Sequence, residues 1–87
     1  MRVLIPSPLL SYTKGRREVE GAGATVGDVL ADLDGRFPGL RFRIIDEQDR
    51  VRPHIRLFVG MRPAQDLAEP VRPVDEVHIL CALSGGR

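Results

Sequence analysis

The clearest periodic pattern in the sequence is helical and lies in its first half. Apolar residues recur there at spacings of three and four positions: Val26, Val29, Leu30, Leu33 and Phe37. Thr25 precedes them and Asp28 follows it by three positions, an arrangement typical of a capped helix start. Pro38 disfavours helical geometry in the residue before it, and Gly35 and Gly39 suit the positive φ of a helix end. The pattern predicts one amphipathic helix that ends at these glycines.

Two strand-like segments precede the helix. Residues Arg2 to Ile5 alternate in polarity and predict a first strand, and Pro6 and Pro8 limit the pairing of the residues after it. After a turn signal at Lys14-Gly15, the charged run from Arg16 to Glu20 predicts an edge strand with one face in solvent. We expect the two segments to pair as a hairpin.

Two further strands are predicted after the helix. His54 to Val59 alternates, with Phe58 on the face opposite the other apolar side chains, and Gly60 ends it. Glu76 to Leu83 is the most apolar run in the chain, with Leu80 on the less apolar face. This last run predicts a central strand.

The segments between these elements show no clear period. Leu40 to Pro53 alternates too irregularly to assign, although Phe42, Ile44 and Ile45 are expected to be partly buried. Ala64 to Pro73 predicts only a short strand or turn at the sheet edge. The resulting order predicts an α+β fold with one main helix across a mixed sheet of four to five strands, which is the order of the ubiquitin-like β-grasp.

Length, charge and composition exclude several function classes. The 87 residues suffice for one domain, and the net charge of +1 gives no field that attracts nucleic acid. The apolar stretch at the start is interrupted by Pro6 and Pro8, so we expect neither an export signal nor a membrane span. The single Cys81 cannot form an internal disulfide, which favours a cytoplasmic location.

Most candidate sites within the predicted domain have simple structural explanations. The glycine-rich stretch from Gly21 to Gly27 precedes a helix, but its spacing does not fit a nucleotide-binding loop. His54 and His78 lack further ligands at metal spacing, and Cys81 in an apolar strand is expected to pack rather than react. No acid–base pair stands out, so we expect a protein that is not an enzyme.

A candidate basic patch consists of five arginines around Phe42: Arg41, Arg43, Arg50, Arg52 and Arg56. Asp46, Glu47 and Asp49 lie among them and dilute their charge. We therefore expect a surface for an acidic protein partner, or one that only aids solubility, rather than a nucleic-acid site.

Chemistry is predicted at the end of the sequence. Residues 1–83 are predicted to form the domain, and Ser84 begins a flexible tail over 84–87. Gly85 and Gly86 lack side chains and can pass through a narrow channel into another protein's active site. A carboxylate needs a leaving group before it reacts as an electrophile, so adenylation followed by transfer of sulfur or of an amine is expected. A frayed terminus without function is the alternative.

The segment Asp75 to Gly86, DEVHILCALSGG, resembles the ending of the ubiquitin-like sulfur carriers of the MoaD/ThiS type. The sequences TVGDVLADL and IRLFVG extend the resemblance, which is nearest to cysteine-biosynthesis-type carriers and molybdopterin-synthase small subunits. It implies that an adenylyltransferase of the ubiquitin-activating type uses ATP to form an acyl-adenylate on Gly86. A sulfur donor then makes a thiocarboxylate for a sulfur-accepting biosynthetic enzyme, and the carrier itself binds no cofactor.

The resemblance also implies roles for residues outside the reacting end. Leu83 matches the small or branched apolar residue that precedes the diglycine Gly85-Gly86. Leu80 falls where the family has an apolar or aromatic residue that docks on the activating enzyme. Phe58 is expected to join that docking surface.

Two departures from the family pattern affect the predicted tail. The usual approach PAVAGG is CALSGG here, so Cys81 takes the place of a stiffening proline. Arg87 follows the diglycine, and Gly86 cannot be adenylated while its carbonyl belongs to an amide. We expect a JAMM-type zinc metalloprotease to remove Arg87, unless that residue is not native. A modifier joined to lysines through Gly86 and a plain β-grasp interaction module are the alternative functions.

Overall fold

The computed structural model describes residues 1–82, which form a five-stranded sheet with helices against one face. The strands are β1 (Arg2–Leu4), β2 (Glu18–Glu20), β3 (Ile55–Val59), β4 (Arg62–Ala64) and β5 (Glu76–Cys81). The helices are a 3₁₀ helix (Ser7–Thr13), α1 (Val26–Arg36) and α2 (Leu40–Ile44). The strands lie in the order β2-β1-β5-β3-β4.

The sheet is mixed because β5 pairs in opposite senses with its two neighbours. β1 runs parallel to β5, with Val3 opposite Val77. β3 runs antiparallel to β5, with Leu57 opposite Ile79. The predicted central position of the last strand is confirmed, and so is the α+β, ubiquitin-like β-grasp class.

One hydrophobic core lies between the sheet and α1. The inner faces of β3 and β5 contribute Ile55, Leu57, Val59, Val77 and Ile79. The predicted stripe of α1 contributes Val26, Val29, Leu30 and Leu33. None of these nine side chains is more than 3% exposed, and burial of each contributes about 1.5–3 kcal/mol relative to exposure. The packed faces therefore leave the opposite face of the sheet free for other contacts.

The start of α1 follows the predicted capping pattern. Thr25 has extended backbone geometry, and its Oγ1 accepts a 3.1 Å hydrogen bond from the Asp28 N–H. The Asp28 carboxylate accepts a 3.4 Å bond from the N–H of Ala24, one residue earlier than in a standard capping box. The two bonds fix the direction in which the chain enters the helix.

Helical structure extends further than the sequence indicates. Gly35 stays inside α1 and takes no positive φ. α2 then occupies Leu40–Ile44, so the prediction that this segment is irregular was wrong. Asp34 Oδ1 accepts 3.1 Å bonds from the N–H groups of Gly39 and Arg41, which fixes the start of α2. A hydrogen bond between a side chain and a backbone N–H group produces no repeating hydrophobic pattern, so the start of α2 could not be recognised from the sequence.

The short edge strand lies earlier than predicted. β4 occupies Arg62–Ala64, whereas the sequence placed a short strand or turn within Ala64 to Pro73. That later segment instead runs beside the start of α1, where the N–H of Val71 donates to the Ala24 carbonyl at 3.0 Å. Pro63 fits β4 because an edge strand does not need every N–H donor.

The first hairpin is also shorter than predicted. β2 begins at Glu18 rather than at Arg16. The segment between the two strands contains the 3₁₀ helix at Ser7–Thr13, which the sequence pattern leaves unassigned. The pairing itself is confirmed, because Val3 lies opposite Val19 in an antiparallel ladder.

Candidate functional site

The described part of the chain ends at Ala82, two residues before the predicted tail and beside the start of β3. The N–H of Ala82, one residue after β5, donates to the His54 carbonyl at 2.7 Å. Five predicted site residues lie outside the described part of the chain: Leu83, Ser84, Gly85, Gly86 and Arg87. The structure therefore fixes the root of the tail, while the division into a domain at 1–83 and a tail at 84–87 stays a prediction.

An apolar patch lies on the outer face of the sheet, opposite the core. It is a shallow groove of about 270 Å³ lined by Phe58, Gly60, Met61, His78 and Leu80. Leu80 is 48% exposed and Met61 is 96% exposed, so much of the apolar area faces solvent. Clustered apolar side chains in solvent mark interaction sites more often than isolated ones do.

The two predicted docking residues, Leu80 and Phe58, meet in this apolar patch. Phe58 lies directly opposite His78 in the antiparallel β3–β5 pair, and Leu80 lies opposite Arg56. Phe58 and Leu80 are therefore diagonal neighbours across the two strands, a distance that large side chains can bridge. Strand alternation places His78 on the same face as Leu80, whereas the sequence pattern does not reveal Met61 as a member of the patch. Met61 belongs to the β3–β4 turn, and strand alternation carries no signal for a turn residue.

A network of charged side chains borders the apolar patch on the side of β1. Arg2 pairs with Glu18 at 2.7 Å and with Glu76, and so links three strands. The hydrogen bond from the Arg2 guanidinium holds the pKa of Glu76 below its ordinary value. His78 Nε2 lies 3.3 Å from Glu76 Oε1, so this side chain touches both the network and the patch. The network sets the limit of the apolar area on this side.

A basic groove adjoins the apolar patch on its other side. It has a volume of about 440 Å³, and its lining includes Arg50, Arg52 and Arg56 together with Pro63. Phe58 lines both the basic groove and the apolar patch. Three of the five arginines predicted as a patch therefore line one depression.

The aromatic residue of the predicted basic patch lies outside this groove. Phe42 is 53% exposed, whereas Ile44 and Ile45 are fully buried. The Arg52 guanidinium stacks over the Phe42 ring at 4.5 Å from the centroid. One face of the ring is thus covered by an arginine of the same chain and is not free to stack on a base.

Two N–H groups of the glycine-rich loop before α1 donate to carboxylates of that helix. The N–H of Ala22 donates to Asp32 Oδ2 at 3.0 Å, and that of Ala24 to Asp28 Oδ2 at 3.4 Å. Carboxylates thus occupy the positions that a bound phosphate takes in an anion-binding loop. This arrangement supports the interpretation of the loop as a lead into the helix.

Cys81 is placed for packing. Its side chain is partly buried against the core, and burial raises the pKa of its thiol. Since the thiolate is the reactive form, the raised pKa makes this thiol a poor nucleophile.

Two features are absent from residues 1–82, a metal-binding cluster and a helix that could span a membrane. No group of three or more histidine, cysteine, aspartate or glutamate side chains in this part of the chain is arranged to hold a metal ion. No helix within the same residues has the length and apolar character needed to cross a membrane.

The sequence matches one protein family and its named members over nearly its full length. Residues 3–86 match the model of the ThiS family. The sulfur carrier protein CysO of Mycobacterium tuberculosis strain H37Rv is 32% identical over 89 residues, which cover 97% of this chain and 96% of that protein.

Solved structures show the same similarity in three dimensions. A chain in the crystal structure of the Amycolatopsis orientalis BexX/CysO complex superposes with a TM-score of 0.90 at 31% identity, over 98% of each chain. SAMP1 from Haloferax volcanii superposes with a TM-score of 0.78 at 30% identity, over 99% of this chain and 98% of that one. The β-grasp arrangement is thus shared along the whole of each protein.

Proposed function

The chain belongs to the ThiS family, and we propose that it is a sulfur carrier whose acyl chemistry takes place at Gly86. An adenylyltransferase of the ubiquitin-activating type joins the Gly86 carboxylate to AMP from ATP and releases pyrophosphate. A sulfur donor then displaces AMP and leaves a thiocarboxylate, which a biosynthetic enzyme uses as its sulfur source. The observation that carries the proposal is the root of the tail, which leaves β5 close to the exposed apolar patch.

The apolar patch is the surface on which the adenylyltransferase docks. Leu80 and Phe58 bury their exposed area against the partner, and this contact holds Ala82 in a fixed place. The four residues 83–86 span at most about 14 Å when fully extended. The nucleotide site of the partner must therefore lie within that distance of Ala82.

Catalysis belongs to the partners in this proposal. Within residues 1–82 the one thiol, Cys81, has a raised pKa, and its side chain faces the core rather than the apolar patch. The carrier contributes a substrate carboxylate and a docking surface. The use of ATP and the single cysteine both favour the cytoplasm as the place of the reaction.

Cleavage after Gly86 precedes adenylation. Arg87 follows Gly86, so the Gly86 carbonyl belongs to a peptide bond and offers no carboxylate oxygen to ATP. Hydrolysis of that bond by a JAMM-type zinc metalloprotease supplies the carboxylate. Any residue joined to Gly86 by a peptide bond would have to be removed before adenylation.

The test compares two forms of the protein in one adenylation assay. The chain of residues 1–87 and a chain that ends at Gly86 are each incubated with ATP and the adenylyltransferase of the same organism, and intact masses are recorded. We expect an adenylyl adduct, and with a sulfur donor a thiocarboxylate, only on the chain that ends at Gly86. A chain that ends at Gly85 is the matched control. Equal reaction of all three chains, or none with the Gly86 form, would contradict the proposal.

A ubiquitin-like protein modifier is the second candidate function. The observation that favours it is the superposition on a small archaeal modifier protein, SAMP1, at a TM-score of 0.78. The same acyl-adenylate then reacts with a lysine amine in place of sulfide. Mass spectrometry of the purified native protein distinguishes the two, because a thiocarboxylate at Gly86 supports the carrier and lysine-linked conjugates support the modifier.

A further inference from the structure

The basic groove carries positive charge that residues 1–82 do not neutralise by ion pairing. Elsewhere in this part of the chain, five arginines pair with carboxylates: Arg2, Arg36, Arg41, Arg62 and Arg72. Arg16, Arg17 and Arg43 make no ion pair within residues 1–82 either, but they do not line the groove. The three arginines of the basic groove make their side-chain hydrogen bonds to neutral acceptors instead. Their charge is therefore available to an external partner.

Neutral contacts hold each of these guanidiniums in place. Arg50 Nη2 donates to Gln48 Oε1 at 3.1 Å. Arg52 Nε donates to the Phe42 carbonyl at 2.7 Å and stacks on the ring of the same residue. Arg56 Nη1 donates to a backbone carbonyl at 2.8 Å. A guanidinium that is already positioned loses less conformational entropy when it binds an anion.

Two acidic side chains of the preceding loop are engaged with other groups. Asp46 Oδ1 accepts bonds from the N–H groups of Arg50 and Gln48 at 3.0 and 2.9 Å, and these bonds lower the pKa of Asp46. The charges of Arg50 and Arg52 lower this pKa further, but neither guanidinium forms an ion pair with the carboxylate. Asp49 pairs with Arg41 at 3.2 Å. Neither carboxylate lines the basic groove.

The basic groove is continuous with the surface that the proposed function assigns to a partner. Phe58 lines both depressions, and Arg56 lies opposite Leu80 in the β3–β5 pair. The root of the tail at Ala82 is hydrogen-bonded to His54, two positions before Arg56. A protein that covers the apolar patch and receives the tail must therefore also face the three arginines.

We propose that the basic groove binds aspartate and glutamate side chains of the adenylyltransferase that docks on the apolar patch. This inference rests on the proposed function. Guanidinium and carboxylate groups form paired, charge-assisted hydrogen bonds, which align the two proteins as well as attract them. A nucleic acid fits less well, since the chain is nearly neutral at +1 and has no overall field that attracts a phosphate backbone.

The test removes two charges from the groove and two from a distant surface. Arg50→Gln and Arg56→Gln are combined in the full chain, and Arg52 is kept because it stacks on Phe42. Arg16→Gln and Arg17→Gln together form the matched control, because these exposed residues precede β2 at the opposite edge of the sheet. The dissociation constant for the adenylyltransferase is measured without ATP at low and at physiological salt.

We expect the groove variant to bind at least about fivefold more weakly at low salt and to show a flatter salt dependence. The control variant should stay within about twofold of the unmodified chain. Equal affinity and salt dependence of the groove variant and the unmodified chain would overturn the inference. Absence of any binding by the unmodified chain would overturn it as well.

A nucleic-acid ligand is tested in the same series with single-stranded oligothymidylate. Tight binding at physiological salt that the groove variant loses would overturn the proposed carboxylate partner. Failure of the proposed function gives a different result, namely binding of the unmodified chain to the adenylyltransferase without adenylation of the Gly86 form. The two proposals therefore fail in distinguishable ways.

Discussion

The hydroxyl of Thr25 pairs one of the N–H donors that the first turn of α1 leaves without an intrahelical partner. Thr25→Ala removes that acceptor, and we expect the free energy of unfolding to fall by about 1 kcal/mol. Thr25→Ser keeps the hydroxyl and is expected to lose much less. Urea unfolding followed by circular dichroism measures both variants. Equal losses would show that the methyl group of Thr25 matters rather than its hydroxyl.

Replacing each of two glycines at α1 with alanine is expected to change stability in opposite directions, because one added Cβ has room and the other does not. A Cβ on Gly23 would lie 2.6 Å from the Asp28 Cβ and 2.8 Å from the Val29 nitrogen. Gly23→Ala therefore displaces the first turn of the helix, at a cost of about 1–3 kcal/mol. A Cβ on Gly35 would meet nothing within 4 Å, and Gly35→Ala should raise stability by about 0.5–1 kcal/mol because alanine favours a helix. Destabilisation by both changes in urea unfolding would contradict this comparison.

At the scale of elements, β5 has one face on each side of the sheet. Leu80 faces solvent, whereas Val77 and Ile79 face the core. Leu80→Ala should change the free energy of unfolding by less than about 1 kcal/mol, because this side chain is 48% exposed. The KM for the carrier in adenylation should rise about fivefold or more, since less apolar area is buried in the complex.

Val74→Ala is the matched control for Leu80→Ala. Val74 is 81% exposed and lies before β5, outside the apolar patch. Adenylation kinetics of the control should match those of the unmodified chain. An equal rise in KM for both variants would remove the evidence for a specific docking surface.

The elements that could be predicted from the sequence are those with one face in the core. Alternation in β3 and β5 assigns Phe58 and Leu80 to the outer face, and the structure places both in the apolar patch. α2, at Leu40–Ile44, has only five residues and shows too little of a helical period to be recognised. Met61 joins the patch through a turn, whose position depends on how β3 and β4 pair.

At the scale of the whole molecule, acid is expected to weaken the fold. The pKa values of Asp46 and Asp75 are lowered by hydrogen bonds from backbone N–H groups, and that of Glu76 by the Arg2 guanidinium. Each carboxyl thus binds a proton more readily in the unfolded chain. Its contribution to stability is complete above the unfolded pKa of about 4 and is lost as the pH falls through the lower folded value.

Asp75→Asn tests this dependence on pH. Asp75 accepts a 2.8 Å bond from the Arg72 N–H, and the asparagine cannot ionise. The difference in urea midpoint between the unmodified chain and the variant should narrow as the pH is lowered from about 5 to 2. A difference that stays constant over this range would contradict the assigned role of the carboxylate.

The parallel pairing of β1 with β5 brings together residues that are far apart in the sequence. Arg2 and Glu76, which lie opposite each other, are 74 residues apart. During synthesis β1 cannot pair with β5 until the ribosome has produced the last strand, so the centre of the sheet forms late. We expect a nascent chain arrested before β5 to be digested readily by protease and one that includes β5 to resist it. Since Phe58 and Leu80 become neighbours only when β3 and β5 pair, an unfinished chain offers the activating enzyme no docking surface. The apolar patch therefore forms only when β5 has joined the sheet, so under the proposed function docking depends on the folded sheet and not on the tail sequence alone.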